Sequence, residues 1–483
     1  MIRSYINGEY ISTEAVTEIY DVDGNLEDSV YFFDYALDKY SSGLLTVASS
    51  WRQSAIIERV NALRNLKAKL EDEHFAETLA RAISKEIGKP MCEAETEVSE
   101  SIGVLDYFIN NVDENTFLKK VELDPYWETK KNFIKLQPLG IVGIIKPWNY
   151  PVSNSLWSII PAILAGNVVI YKPSEYSCMC AKLLSEAIID SGLPTGVFNI
   201  IYGDKNAGER IVECKEVSMI SFTGGSGTAQ AIQLKSAQMG IMRKFSIESG
   251  GSDFAIIDKD ADLQFVLDGI VWGAFNNSGQ VCTSVENVLL PAEMRGGFID
   301  GLKDRINALK QKSDYGKIQN KRQLEKISGY LKSIKDDVNY SIMLGGEIKD
   351  GYLSPTVIEC KNIESAGYEI FGNIIRLFYY YNEADIPQLV NSSGFGLGCT
   401  IWTSEPESTR INKLIDSLQV GMVWVNDVNI AFSEMPWTGV KNSGVGFNLS
   451  LDSIGEFSSL KSVSIDTNTK DKKDWWFPYG DNT

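Results

Sequence analysis

The chain has 483 residues, too many for one compact core, so two or three domains are expected. At 44% hydrophobic and 23% charged residues it has an ordinary globular composition. A formal net charge of −18 argues against nucleic acid or an anionic membrane as a partner, since both require a basic surface.

No run of about 18 apolar residues marks a membrane helix, and the opening MIRSYINGEYIST has no apolar signal core, so a cytoplasmic location is expected. The seven cysteines are odd in number and scattered, which suits a reducing compartment rather than a disulfide framework. Cys178 and Cys180 have no histidine or second cysteine pair nearby, so no metal site is expected. The single histidine, His74, lies in the acidic helix start EDEHFAETL and reads as a surface residue. Without it no Ser-His-Asp or Cys-His arrangement can be built, and the general base is expected to be Glu, Asp or Lys.

Taken in order, SYINGEYIS predicts a strand pair turning at Asn7-Gly8. Helical spacing begins at about Trp51, with Ile56, Val60, Leu63, Leu66 and Leu70 on one stripe. A second helix spans about Glu73 to Ile87 and stops at Gly88-Lys89-Pro90; a third, acidic one runs to about Ile109. Residues 117–138 alternate on both sides of Asp124-Pro125 and predict an extended hairpin whose edges need a partner.

From Leu139 the pattern becomes strand, helix, strand: LGIVGII, NVVIYKP, VFNIIYG, VSMISFTGG and RKFSIE are the strands. This is the rhythm of an α/β, doubly wound parallel sheet, in which ligands bind beyond the carboxyl ends of the strands. The residues there are KPWNYP (146–151), KPSE (172–175) and FTGGSGTA (222–229), the last opening a helix. Glycines before a helix N-terminus can cradle a phosphate, and a neighbouring lysine and glutamate can bind ribose hydroxyls. The run is not a clean G-x-G-x-x-G, so a plain tight turn is the competing reading.

The stretch ESGGSDFAII…NNSGQVC then carries a carboxylate, Glu248, and a thiol, Cys282, at the ends of separate elements. A thiol beside a base is a covalent-catalysis pattern; a buried structural cysteine with an unrelated glutamate fits equally well at this point. A second α/β region follows to about Ser443. It has strands at VENVLLP, PTVIEC, YEIFGN, GLGCTIWT and GMVWVN, helices from about Met294 and over 309–338, and a glycine-rich loop, MPWTGVKNSGVGF. LKSVSID reads as an edge strand, and the aromatic tail (Trp475, Trp476, Phe477, Tyr479) as packing on an interface.

Together, PWNYP, KPSE, FTG, ESGG, NNSGQVC, EIFG and KNSGVG, in this order and spacing, resemble the aldehyde dehydrogenase superfamily over nearly the whole chain. The resemblance implies a Rossmann-like cofactor domain (1–116 and 139–248), an α/β catalytic domain (249–445) and a small β oligomerisation module (117–138 and 446–483) forming a homodimer or homotetramer. It implies Cys282 as nucleophile, Glu248 as base, and the Asn149 amide with the Cys282 N–H as oxyanion hole. Ile145, Trp148, Lys172, Glu175, Thr223, Gly224, Gly225, Glu369 and Phe371 would bind the cofactor. Glu175 favours NAD over NADP by repelling a 2′-phosphate, with NADP possible.

Tyr150, Asn154, Trp157, Val281, Thr283 and Trp437 would line the substrate tunnel; their aromatics imply an apolar or aromatic aldehyde. Three positions depart from the family pattern: Ser249 for Leu, Ala229 for Gly and Asn373 for Pro. A CoA-acylating or phosphate-dependent relative usually lacks the base and is disfavoured by Glu248. A non-catalytic NAD-binding or structural paralogue of the same fold is the remaining alternative.

Overall fold

The computed structural model describes residues 1–473 and 475–477; Tyr479 of the aromatic tail lies outside the described residues. The architecture is α/β, built on two large sheets and a small one. In the first large sheet Phe198–Ile200, Val168–Lys172, Ile141–Ile145, Val217–Gly224 and Lys244–Ser249 lie parallel in that order. The chain starts in the middle at Ile141–Ile145, winds outward to one side, then returns to wind to the other. The switch point therefore lies between Ile141–Ile145 and Val217–Gly224, where a crevice opens at the strand ends.

Burial explains why these runs are continuously apolar. Val142, Ile144, Val169 and Tyr171 pack into one core, under the helices Ile56–Leu70, Glu73–Ile87, Met91–Asn111 and Ser153–Leu164. Their neighbours Ile141, Ile145, Val168 and Ile170 pack into another, under Lys205–Glu213 and Ser226–Gln238. Alternate side chains face opposite layers, so both faces must be apolar.

The second large sheet runs Tyr340–Leu344, Thr356–Cys360, Ile374–Tyr380, Val285–Pro291, Asp253–Ile257, Gly398–Trp402, Met422–Val425, parallel except for the first. It too divides its side chains between two cores, Phe254 and Ile256 on one side, Ala255 and Ile257 on the other. In the third sheet Lys130–Pro138 sits between Leu118–Val121 and Ser458–Asp466, all antiparallel. Ser458–Asp466 is an edge, as its alternation predicts, and Trp475 stacks edge-on against Trp127 with ring centroids 5.3 Å apart. The two-residue strand Gly444–Val445 lies on the first sheet, antiparallel to Lys244–Ser249.

The hairpin at Asn7-Gly8 forms in the predicted register, with Ser4 opposite Ile11 and both turn residues at positive φ. The helix Glu73–Ile87 ends on a left-handed Gly88, and His74 is exposed. Two expectations are corrected and one element is added. Helix begins before Trp51: Asp38–Trp51 is helical, its serines and Gly43 having masked the pattern. A hairpin, Val16–Tyr20 with Leu26–Tyr31, is present between the first strands and that helix. YEIFGN is not a strand, because Phe371 takes φ 62° and the strand starts only at Ile374. Among the described residues no helix is long and apolar enough to cross a membrane.

Candidate active site

Two cavities meet at the switch point. The larger, about 670 Å³, is lined by Ile145, Trp148, Lys172, Glu175, Thr223 and Gly224 among others. The other, about 560 Å³, shares Trp148, Thr223 and Gly224 and adds Asn149, Asn154, Gly225, Glu248, Cys282, Glu369 and Phe371. All nine predicted cofactor residues thus line one continuous cleft. Lys172 and Glu175 stand at one end, 3.6 Å apart. The N-terminus of Ser226–Gln238 stands in the middle. Nothing lies within 4 Å of where a side chain on Gly225 would begin. Trp148 and Phe371 stand at the other end, ring edge to ring face at 5.7 Å. Apolar Val212 and Ile232 line the Lys172 end. An aromatic base on the apolar patch, a ribose on Lys172 and Glu175, and a diphosphate against the free helix N–H groups would fill this shape. The residues present fit a dinucleotide.

Glu248 stands one residue before the end of its strand, beside Thr223 on one side and Gly444 on the other. It is 4% exposed, and three donors converge on it. The Trp437 indole N–H reaches Oε1 at 2.6 Å, the Asn448 amide reaches Oε2 at 3.2 Å, and the Cys282 thiol lies 3.7 Å from Oε1. Burial raises the Glu248 pKa, opposed first by the Lys146 ammonium and then by these hydrogen bonds. Burial and then the Glu248 charge hold the Cys282 thiol well above its ordinary range.

The loop before Cys282 is strained and heavily braced. Asn277 and Ser278 have φ of 46° and 58°. Asn277 donates its side-chain amide to the carbonyls of Asn149 and Gln280, and its backbone N–H to Glu93. Asn149 Nδ2 donates to the Gln280 carbonyl at 3.0 Å, which ties the PWNYP loop to the loop that presents the thiol. Gly279 is required: a side chain there would meet the Gly372 carbonyl carbon at 2.4 Å. The loops 276–282 and 369–373 therefore touch backbone to backbone. Gly250 plays the same part for Glu369, whose carboxylate lies 2.0 Å from where a Gly250 Cβ would be. Burial, then the nearby Glu286, pushes Glu369 up to about 7.

Sequence reasoning missed the device that holds Glu369 and Phe371 in place. Glu286 accepts the backbone N–H groups of Ile370 and Phe371 at 2.7–2.9 Å and pairs with Arg376 at 2.9 Å, both side chains almost wholly buried. This network supports the left-handed Phe371, a conformation that costs a bulky residue about 1–3 kcal/mol. The available signal was a glutamate and an asparagine in the otherwise apolar strand VENVLLP.

The three departures also have places. The Ser249 hydroxyl donates to the Asn442 carbonyl at 2.5 Å, fastening the glycine-rich loop beside the base. Ala229 is buried in the core with Phe222 and Ile232. Asn373 is fully buried and donates to the Leu353 carbonyl at 3.2 Å.

Of the six predicted substrate residues, Asn154 lines the cavity with Cys282. Trp437 binds Glu248, and Trp157 packs on Trp437 at 5.4 Å. The Tyr150 hydroxyl donates to Asn276 at 2.8 Å, and the Lys89 ammonium sits 3.7 Å over its ring. Val281 and Thr283 flank the thiol and are buried. Beyond Tyr150 the helix Met91–Asn111 sets out Glu93, Glu97 and Glu100 at helical spacing. After burial, those three carboxylates are what raise the Tyr150 pKa most.

A dinucleotide-shaped cleft at the switch point of one sheet, closed by a second α/β sheet that brings up a thiol, defines a dehydrogenase architecture. The chain belongs to the aldehyde dehydrogenase family, whose model matches residues 42–463, and members of that family use NAD(P). A betaine aldehyde dehydrogenase of Amaranthus hypochondriacus, described as chloroplastic, is 28% identical over 88% of this chain and 86% of its own length. An aminoaldehyde dehydrogenase of Pisum sativum, described as peroxisomal, is 29% identical over 86% and 84%. Among solved structures, a betaine aldehyde dehydrogenase point mutant from Staphylococcus aureus matches with a TM-score of 0.91 at 26% identity, covering 98% of this chain and 97% of that one. That structure holds NAD+ and a modified cysteine.

Proposed function

We propose that this enzyme oxidises an aldehyde to a carboxylic acid with NAD as acceptor, through a thioester on Cys282 hydrolysed with Glu248 as base. The observation that carries the reading is the Cys282 thiol 3.7 Å from a buried carboxylate, at one end of the dinucleotide cleft. Glu248 takes the thiol proton, and the thiolate attacks the aldehyde carbon. The carbonyl oxygen becomes an oxyanion, met by the Cys282 backbone N–H and by the second Asn149 amide N–H, the first being held by Gln280. One such donor contributes about 3 kcal/mol to the transition state. NAD, when bound, accepts the hydride. Glu248, once it has released the thiol proton to solvent, takes a proton from the water that hydrolyses the thioester. Glu175 beside Lys172 favours NAD over NADP.

The aldehyde we infer carries a cationic nitrogen. Lys89 pairs with Glu97 and covers the Tyr150 ring, which leaves Glu93 and Glu100 as carboxylates without an ion pair among the described residues. The relatives named for betaine aldehyde and aminoaldehyde agree with this. The paired rings of Trp157 and Trp437 favour a second reading, an apolar or aromatic aldehyde. A panel of an ω-amino aldehyde, a trimethylammonium aldehyde, a benzaldehyde and an alkanal, followed by NADH absorbance, tests both. The first two should show kcat/KM at least about tenfold higher, roughly one charge interaction in a partly desolvated site. A preference for the last two overturns the cationic reading, and no turnover with any aldehyde overturns the enzyme reading.

We also propose that the chain divides functionally at 1–116 with 139–248, 249–445, and 117–138 with 446–483. The third unit supports a homodimer or homotetramer, because Leu118–Val121 leaves an open sheet edge and Leu460 and Ile465 are exposed. Light scattering at micromolar concentration should give two or four times the chain mass; a monomer would refute it.

A further inference from the structure

Lys146 is a buried cation that the reading above leaves unused. Three adjacent strands place it. Ile145 pairs with Phe222, and Phe222 pairs with Ile247. One residue further on, each strand turns polar, giving Lys146, Thr223 and Glu248 in a row across the carboxyl ends of the sheet. The Lys146 ammonium donates to Thr223 Oγ1 at 2.9 Å. Lys146 is 3% exposed, and among the described residues no carboxylate stands within 4 Å of its ammonium. Burying an ammonium without an ion pair is costly, and an apolar side chain of the same length would occupy the space without that cost.

The surroundings of Glu248 show what the charge does. Its three hydrogen-bond partners are all donors. An indole N–H and an amide N–H give protons and take none up. The Asn448 amide is locked in this sense, because its oxygen accepts from Ser158 at 2.8 Å. Such a setting is built for a carboxylate rather than a carboxylic acid. Yet burial works against the carboxylate, and Lys146 is the largest influence opposing burial. Burial lowers Lys146 itself to about 8, so it carries its charge at neutral pH.

The other charged groups act elsewhere. Lys172, on the neighbouring strand, turns its ammonium to the Pro173 carbonyl and to Glu175. From the second sheet, Asp253 and Glu369 bear on Cys282, and both are carboxylates. They would raise rather than lower the cost of charging this site.

We propose that Lys146 is a positioning residue that keeps Glu248 ionised inside the closed site, so that the carboxylate is ready to receive the Cys282 proton. This rests on Glu248 being the base. The test compares wild type, Lys146→Met and Lys146→Arg by the pH dependence of kcat/KM and, without cofactor, of Cys282 alkylation by iodoacetamide, read at that residue by mass spectrometry. Removing a neighbouring opposite charge raises a carboxyl pKa, by about one unit or more where that charge stands within about 4–6 Å. In Lys146→Met the acid limb of both profiles should therefore move up by about one pH unit. On the acid limb, activity at a given pH should fall about tenfold, and it should converge on wild type near pH 9, where Lys146 is itself discharged. Lys146→Arg should restore the limb, and a fluorescence titration should show NAD affinity unchanged. Thermal melting confirms that each variant is folded, and Lys146→Gln replaces any that is not. An unmoved limb overturns the proposal, as does weakened NAD binding with an unmoved limb, which would make Lys146 a phosphate ligand. A wild type without turnover would instead sink the aldehyde dehydrogenase reading, which separates the two failures.

Discussion

Replacing Cys282 with alanine should lower aldehyde-dependent NADH formation by at least about 10⁴-fold, to the detection floor, while leaving NAD affinity within about twofold of wild type. The first half follows from position. Of the seven cysteines, Cys282 is the one lining the cleft. Cys178, Cys180 and Cys399 are buried, and desolvation holds their thiols well above the ordinary range. Cys214 and Cys360 are pushed up to about 11 by burial, and Cys92, although exposed, is on the outer surface of the helix Met91–Asn111. No second thiol can take over. The second half follows from the division of labour between sheets. The residues that would hold the diphosphate and adenosine end belong to the first sheet and its loops, whereas Cys282 precedes the strand Val285–Pro291 of the second. Removing one sulfur from a partly open position leaves those loops untouched. Absorbance at the reduced-cofactor band and a binding titration check the two halves separately. Surviving turnover would remove Cys282 from the role of nucleophile.

The loops that form the site were legible in the sequence because a parallel sheet sends every strand end to one side. Once LGIVGII, NVVIYKP and VSMISFTGG read as strands, their following residues had to converge. The glycines were legible as well, since Gly279 stands where two backbones meet and Gly250 makes room for the Glu369 carboxylate. Less legible was anything decided by long-range packing. Glu286 and Arg376 sit 90 residues apart on neighbouring strands, and neither belongs to a glycine-rich or turn-rich loop. Lys146 adjoins a motif, but its importance depends on the lateral register of three strands, which no local pattern carries. Ser249 is accounted for by the Asn442 carbonyl across from it, 193 residues away in the chain. Helix Asp38–Trp51 was hidden for a different reason: Ser41, Ser42, Gly43 and Thr46 have weak helix propensity, and tertiary packing of Leu44, Ala48 and Trp51 overrides it.

Replacing Glu248 with glutamine should lower kcat by about 10²–10⁴-fold, the usual contribution of a general base, and should change the shape of the pH profile. On the proposed mechanism the ionised carboxylate is the active form in wild type. Burial raises its pKa above the ordinary 4.5, so activity is retained above that raised value and lost as pH falls through it. Glutamine has the same length and can still accept from the Trp437 indole through its oxygen. It cannot accept a proton, and with its oxygen on the indole its NH₂ would face the Asn448 amide, donor against donor. The acid limb should therefore vanish. What remains must come from thiol that ionises unaided, and that thiol is held well above its ordinary range by burial and the neighbouring carboxylates. Residual activity should rise about tenfold per pH unit across the neutral and mildly alkaline range, so that high pH partly rescues the variant. Loss of the Glu248 charge also removes one of the influences that raise Cys282, which makes the rescue larger than for a variant that kept the charge. Pre-steady-state mixing separates the two uses of the base. If Glu248 serves only hydrolysis, the variant keeps a full burst of NADH and fails afterwards; if it also activates Cys282, the burst itself is slow at neutral pH and recovers as pH rises. The 3.7 Å approach of the thiol to Oε1 leads us to expect the slow burst. A variant with wild-type kcat and an intact acid limb would show that the base lies elsewhere.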